Sequence, residues 1–420
     1  MSRHDPDLNG LRSSPKLFCD LTQSWSDVGG GVRTYLLHKR SHILERTPHR
    51  HLMIIPGGTD SVVEEGRSIT VTIASPKVPT SPFYRLMLRN GAVRKALDRF
   101  RPDLIECQDA YNLPWAALRH RELHPETALV ANYCTDFPTV YVERPVRKLM
   151  GRAVGNAAGK LFYSYCGALY RRFDAVFALS ENGGATKLRA LGVRGVEVVP
   201  LGVELGDFSP ARRDQRLRRS LGLDESQPLL IYVGRLDNEK KPKVVVDAFR
   251  RLPASLGARL VLLGEGPLRS EFESLGDSRI TMPGYVRDRL DLARWLASSD
   301  IYVSGMADET FGISIVEAQA SGLPVVGVEA GAMIDRVDAS TGRLGPVDDP
   351  QAMTGNILEV LNSDHLTMGE SAQKHAMQFS WDHSMDRLFN HVYPMAFAAA
   401  ATRSTIVNDP ALRPKAAVQV

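Results

Sequence analysis

The sequence predicts an α/β architecture of two doubly wound, Rossmann-like domains facing a cleft. Strand-like apolar runs alternate with helical patterns in two separate series, the order that packs helices on both faces of a parallel sheet. Glycine-marked turns follow several of the strands, and ligands in such sheets bind beyond the strands' carboxyl ends. A chain of 420 residues is also long enough for two domains, each with its own core.

Residues 1–15 are polar, lack the apolar run of a signal peptide and read as a disordered start. The first domain, 16–200, opens with a strand at Lys16–Asp20 and a helical pattern at Val32–Leu44. Between them Gly29, Gly30 and Gly31 would let backbone approach a bulky anion, although most such clusters are only turns. His51–Ile55, Ile69–Ile73, Leu104–Cys107 and Leu129–Tyr133 read as further strands, with helical patterns at Phe83–Phe100 and Trp115–Arg121. A strand at Ala175–Leu179, a helix at Glu181–Leu191 and a strand at Val196–Pro200 close the domain. Residues 201–227 read as a linker, loop-like in LGVELGDFSP and charged in ARRDQRLRRSLGL.

The second domain, 228–380, repeats the alternation. Strands are expected at Leu229–Val233, Arg259–Leu263, Arg279–Met282 and Ile301–Val303, with helices at Lys243–Leu252, Leu268–Leu275 and Leu290–Ser298. Residues 381–398 contain an amphipathic helix, Trp381–Phe397, expected to cross back to the N-terminal domain, and 399–420 read as a loose tail.

Composition excludes several classes. A hydrophobic content of 43% and a charged content of 24% fit a soluble globular protein. A formal charge of +4 suits anionic ligands or an acidic membrane surface and is too weak to argue for nucleic acid. The four cysteines lack metal-ligand spacing and favour a reducing cytoplasm, and no segment reaches the length of a membrane span. Arg144–Arg172 is basic and amphipathic: it reads as a domain helix with a solvated face, or as a helix lying on the inner face of an acidic cytoplasmic membrane.

The richest stretch is 304–328, SGMADETFGISIVEAQASGLPVVGV. Ile313, Val316, Glu317 and Ala320 share one helical face, so Glu317 sits on an otherwise apolar stripe where an ionised group costs several kcal/mol, in order of magnitude, unless hydrogen-bonded. Side chains tilt toward a helix N-terminus, carrying that carboxylate toward the amides of Gly312, Ile313 and Ser314, which suit a phosphate. A ligand site and a buried helix with a satisfied Glu are equally open. Gly234, Gly264 and Gly284 each follow a strand, and Arg235 with Lys240, from one strand-to-helix loop, could clamp a diphosphate or simply be solvated.

GRLDNEK, LLGEGP, GYVRDRLDLARWLASSDIYV, ETFGISIVEAQASGLPVV and STGRLGP, in that order, resemble the C-terminal domain of family 4 retaining glycosyltransferases of the GT-B fold. Glu309 and Glu317 match the family's E-x7-E motif, VGGGVRTYL its N-terminal glycine loop, and VEVVPLGVELGDFSP its interdomain strand. YCTDFPTVYV is similar to a segment of a bacterial subgroup that includes GDP-mannose-dependent lipid mannosyltransferases and sulfoquinovosyl transferases. The resemblance implies transfer of a hexose, mannose or glucose, from a nucleoside-diphosphate sugar to a lipid-linked or polysaccharide acceptor, with no metal or other cofactor.

It also implies roles. Arg235 and Lys240 would neutralise the leaving diphosphate; Glu317 would bind the ribose; Glu309, Phe311 and the amides of Gly312, Ile313 and Ser314 would hold the sugar and its β-phosphate; Val286 would present backbone to the base; and Gly30 and Gly31 would approach from the other domain. One departure is Cys134, where relatives carry a histidine, and a neutral thiol neither donates nor titrates as imidazole does. Asp136 or Asp109 would then take over, or the acceptor differs. The loop AGAMID at Ala330–Asp335 departs from the family's GGIPE-like run. The competing readings are a nucleotide-sugar 2-epimerase, which the E-x7-E, Arg235 and Lys240 set opposes, and a catalytically weakened nucleotide-sugar-binding protein.

Overall fold

The computed structural model describes residues 14–26, 30–78 and 81–408. The expected disordered start lies almost wholly outside these residues, as do Gly29 and the last twelve residues. The chain divides into two compact units: Met1–Leu179 with Ala185–Val199 and Met385–Val420, and Ser180–Gly184 with Pro200–Ser384.

The first unit is built on an eight-stranded sheet in the order β10-β9-β8-β7-β1-β2-β4-β3. Its strands are β1 (Leu17–Leu21), β2 (Arg50–Gly57), β3 (Ser61–Glu65), β4 (Ser68–Ala74), β7 (Leu104–Cys107), β8 (Ala128–Tyr133), β9 (Ala175–Ala178) and β10 (Val196–Val198). β5 (Lys77–Val78) and β6 (Ser81–Arg85) form a separate hairpin. β1, β2, β4 and β7–β10 run parallel, and β3 is an antiparallel edge strand whose five residues are all exposed. The helical pattern expected over Phe83–Phe100 begins only at Asn90, because aromatic Phe83 and Tyr84 favour the extended chain that pairs as β6.

A buried ionic cluster fixes the sheet to its helices. Lys39 of the Gly31–Arg46 helix reaches Asp20 at 2.5 Å and Glu106 at 3.0 Å, and all three side chains are at most 1% exposed. His51 Nε2 lies 2.7 Å from Asp20, Arg40 donates to His51 Nδ1, and the Tyr35 and Tyr393 hydroxyls donate to Glu106 at 2.9 and 2.7 Å. Each buried charge thereby has an opposite partner, without which it would cost several kcal/mol, in order of magnitude. Tyr393 ties the Tyr393–Asn408 helix into this unit, and Arg403, paired with Asp174, extends the attachment. The loose tail expected from residue 399 is therefore helical as far as Asn408, with Ala400 buried.

The second unit has a six-stranded, all-parallel sheet in the order β13-β12-β11-β14-β15-β16. The strands are β11 (Leu229–Val233), β12 (Arg259–Leu263), β13 (Ile280–Gly284), β14 (Ile301–Val303), β15 (Val325–Val328) and β16 (Gly342–Gly345). Residues 201–227, expected as a linker, pack into this unit: Phe208 is buried, and buried Arg218 bonds Asp300 and the Ser298 carbonyl. Its guanidinium fork also closes the turn ahead of β11 through the Asp224 and Gln227 carbonyls.

Candidate functional site

In the second unit the three glycine turns lie side by side at the carboxyl edge of the sheet. The Gly234 amide donates to the Leu263 carbonyl and the Gly264 amide to the Gly284 carbonyl, both at 3.0 Å. Gly264 has φ +151, and a Cβ there would stand 1.9 Å from the Gly234 carbonyl oxygen, so only glycine lets these turns meet. Half-buried Val286 follows the third turn.

The Ile313–Ala320 helix starts from Gly312 in the left-handed region, φ 86, on buried Phe311. Its first turn is anchored by the Tyr302 hydroxyl, 2.8 Å from Ser314 Oγ, and the amides of Ile313 and Ser314 lead the helix with its positive pole. Lys240 Nζ lies 3.2 Å from Glu309 Oε2, which joins the β11 loop to the loop before this helix. Arg235 extends from the same loop, 61% exposed and paired with Asp237 and Glu239. The Glu309 carbonyl accepts from the Ala332 amide at 2.8 Å, and Gly331, at φ +55, allows that approach.

Glu317 is 4% exposed, and its partner is Arg289 Nη2 at 3.2 Å rather than the helix amides toward which the tilt pointed. Burial pushes its carboxyl up to about 7, Arg289 offsetting only part of that penalty. Arg289 is itself set by Asp207 at 3.6 Å and by the Phe208 ring, both from the expected linker, and the sequence reading missed it. The signal that could have found it is the need of a core-facing acid for a cation.

In the first unit, Gly30 holds φ 121 ahead of Gly31, which opens the Gly31–Arg46 helix. The carboxyl ends of the adjacent strands β8, β7 and β1 surround a pocket that includes Ser24, Asp109, Asn132, Cys134, Tyr111 and Phe137. The Cys134 thiol donates to the Gln108 carbonyl at 3.1 Å, and burial, with Asp109 nearby, pushes it up to about 12, so it stays a neutral thiol. Asp109 accepts from Thr22 Oγ1 at 2.9 Å, the Gln23 amide at 2.7 Å and Ser24 Oγ; burial nevertheless raises its carboxyl.

Asp136, placed by sequence among the catalytic candidates, is absent from the pocket lining. It is engaged by Lys187 Nζ at 2.6 Å and Tyr163 Oη at 2.7 Å; burial works to raise its carboxyl, and Lys187 with the Tyr163 and Tyr133 hydroxyls lowers it on balance. The Lys187 pair ties the loop after β8 to the Thr186–Ala190 helix. Elsewhere in this unit Asp98, His120 and His124 place candidate metal-ligand atoms within 4.8 Å of one another, with His120 Nδ1 bonded to Asp98 at 2.8 Å.

Comparison with known proteins bears on the family and the fold. The family model described as Glycosyltransferase Family 4 matches residues 29–207, and that described as Glycosyl transferases group 1 matches residues 227–363. A GDP-mannose-dependent alpha-(1-6)-phosphatidylinositol dimannoside mannosyltransferase of Mycobacterium tuberculosis is 28% identical over 337 residues, 79% of this chain and 84% of that protein. A GDP-mannose-dependent alpha-mannosyltransferase of the same species is 29% identical over 379 residues, 88% of this chain and 94% of the other. Among solved structures, a sucrose-phosphate synthase from Thermosynechococcus elongatus superposes with a TM-score of 0.70 at 20% identity, over 91% of this chain and all of that one. At that identity the likeness speaks for the fold.

Proposed function

The chain belongs to glycosyltransferase family 4, and from that premise we propose that it moves mannose from GDP-mannose, with retention of configuration and without a metal, onto a glycolipid acceptor at an acidic membrane surface. The observation that carries the reading is the cluster in the second unit: Lys240 beside Glu309, Arg235 on the same loop, and a buried Glu317 beside an open helix N-terminus. Breaking a sugar–phosphate bond develops charge on the leaving diphosphate, and fixed cations and amides aimed there lower that barrier. Two cations in one loop supply what a metal supplies in other transferases.

In this reading Arg235 exchanges Asp237 and Glu239 for the diphosphate, Glu317 takes the ribose hydroxyls, and the Ile313 and Ser314 amides face the β-phosphate. Mannose is supported by the names of both mycobacterial relatives, and a lipid acceptor by the name of the first, a phosphatidylinositol dimannoside mannosyltransferase.

Labelled GDP-mannose and UDP-glucose, each incubated with the protein, a membrane extract and EDTA, test the proposal. Label from GDP-mannose should move to a lipid fraction in the chelator. Free sugar isomerised at C2 would establish the epimerase instead, binding without turnover would establish a nucleotide-sugar carrier, and activity lost in EDTA and restored by magnesium would refute the metal-free mechanism.

A further inference from the structure

The pocket at the carboxyl ends of β1, β7 and β8 carries a polarity of its own. Asn132 is 2% exposed and lines it; Asn132 Nδ2 donates to Gln108 Oε1 at 2.7 Å, whereas Oδ1 is buried with no hydrogen-bond partner. The orientation of both amides follows from the ionic cluster behind them. Gln108 Nε2 donates to Glu106 at 2.6 Å and to Asp20 at 3.2 Å, and these carboxylates accept only. Gln108 must therefore turn its oxygen to Asn132, and Asn132 must give its nitrogen to Gln108. The valence left over on this lining residue is an acceptor, which calls for an O–H or N–H donor.

Size and charge narrow the ligand. The pocket is open on one side and offers about 20 Å³, room for one hydroxyl. Asp109 supplies a carboxylate, and among the described residues no lysine, arginine or histidine lines the space. A phosphate monoester, with a charge of about −1.5 to −2 at neutral pH, would meet the Asp109 carboxyl, find no cation among the described lining residues and offer Asn132 no donor.

We propose that this pocket is a socket for one uncharged hydroxyl of the acceptor, which donates to Asn132 Oδ1, and that the socket rejects a phosphate ester at that position. The aromatic wall of Tyr111 and Phe137, whose rings meet edge to face at 4.5 Å, suits the carbon face of a sugar or cyclitol ring. The inference rests on the transferase reading above and adds the chemical class of the acceptor: a neutral polyol end rather than a phosphorylated one.

The test is transfer from labelled GDP-mannose to octyl α-mannoside and to its 6-phosphate. The neutral acceptor should be used at least about tenfold better, the equivalent of one hydrogen bond, and Asn132→Leu should raise its KM about tenfold while the donor KM is unchanged. Asp109→Asn should narrow the gap between the two acceptors. GDP-induced thermal stabilisation equal to that of the native protein shows that each variant is folded, and if Asn132→Leu fails that check, the native preference and Asp109→Asn still decide. Equal or better use of the phosphate by the native protein overturns the socket and leaves the transferase standing. Transfer to neither acceptor refutes the glycoside acceptor itself.

Discussion

Glu317 carries the most informative ionisation in the molecule, because its buried carboxyl titrates near 7 rather than near 4.5. A folded-state value above the unfolded one favours folding fully below the unfolded value, and that contribution is lost as the pH rises through about 7, a difference on the order of 3 kcal/mol. Glu317→Gln should therefore melt progressively higher than the native protein as the pH is raised from 5 to 8 without nucleotide. A carboxylate accepts from two ribose hydroxyls better than a carboxylic acid does, so GDP-induced stabilisation should grow from pH 6 to pH 8 in the native protein and stay flat in Glu317→Gln. If Glu317→Ala binds GDP with undiminished affinity, the ribose assignment is wrong. The awkwardness of this acid was legible from one helical face. Its partner was not, because Arg289 lies 28 residues earlier and meets Glu317 only through the tertiary fold.

At the scale of elements, most parallel strands of both sheets were legible because strands buried on both faces read as apolar runs bounded by turns, whereas β15 and β16, the latter a short GRLG run, were not expected as strands. β7, β11, β12 and β14 fall on their expected residues. What stayed hidden was held by pairing or by charge: the exposed antiparallel β3, the β5–β6 hairpin, and the helix end that depends on Tyr393 and Arg403. The glycine turns show how an element boundary becomes a site. Gly264→Ala would drive a Cβ to 1.9 Å from the Gly234 carbonyl at a φ that side chains rarely adopt, so the β11 and β12 turns must part. Melting should fall by several degrees and GDP-induced stabilisation should drop with it. Gly276→Ala, also at positive φ but with open space around its Cβ, should cost stability through backbone strain alone and leave nucleotide binding intact. Loss of GDP binding in both would show that strain rather than the meeting of the turns is responsible.

At the scale of the whole molecule, a net charge of only +4 does not say where the chain would meet an acidic surface, and the exposed residues supply one testable place. The Arg144–Met150 and Arg152–Tyr170 helices join at Gly151, φ 87, and pack so closely that a Cβ on Gly155 would stand 2.8 Å from Arg147 Cα. Their shared tip exposes Leu149 at 83% and Met150 at 66%, with Val154 and Leu161 beyond, among exposed Arg147, Lys148, Arg152 and Lys160. No helix among the described residues is long and apolar enough to cross a membrane. Apolar residues with nothing to bury them, ringed by cations, fit a surface contact in which each cation near an acidic headgroup layer contributes roughly 1 kcal/mol. The protein should co-sediment with vesicles rich in phosphatidylglycerol, release at high salt, and bind at least about a hundredfold more weakly when Arg147, Lys148, Arg152 and Lys160 are all changed to glutamate. Leu149→Ser with Met150→Ser should weaken binding without changing its salt dependence, since those side chains contribute burial and not charge. Equal binding to purely zwitterionic vesicles, or sedimentation unaffected by the four charge reversals, would remove this helical pair from the membrane contact and leave acceptor delivery to another face.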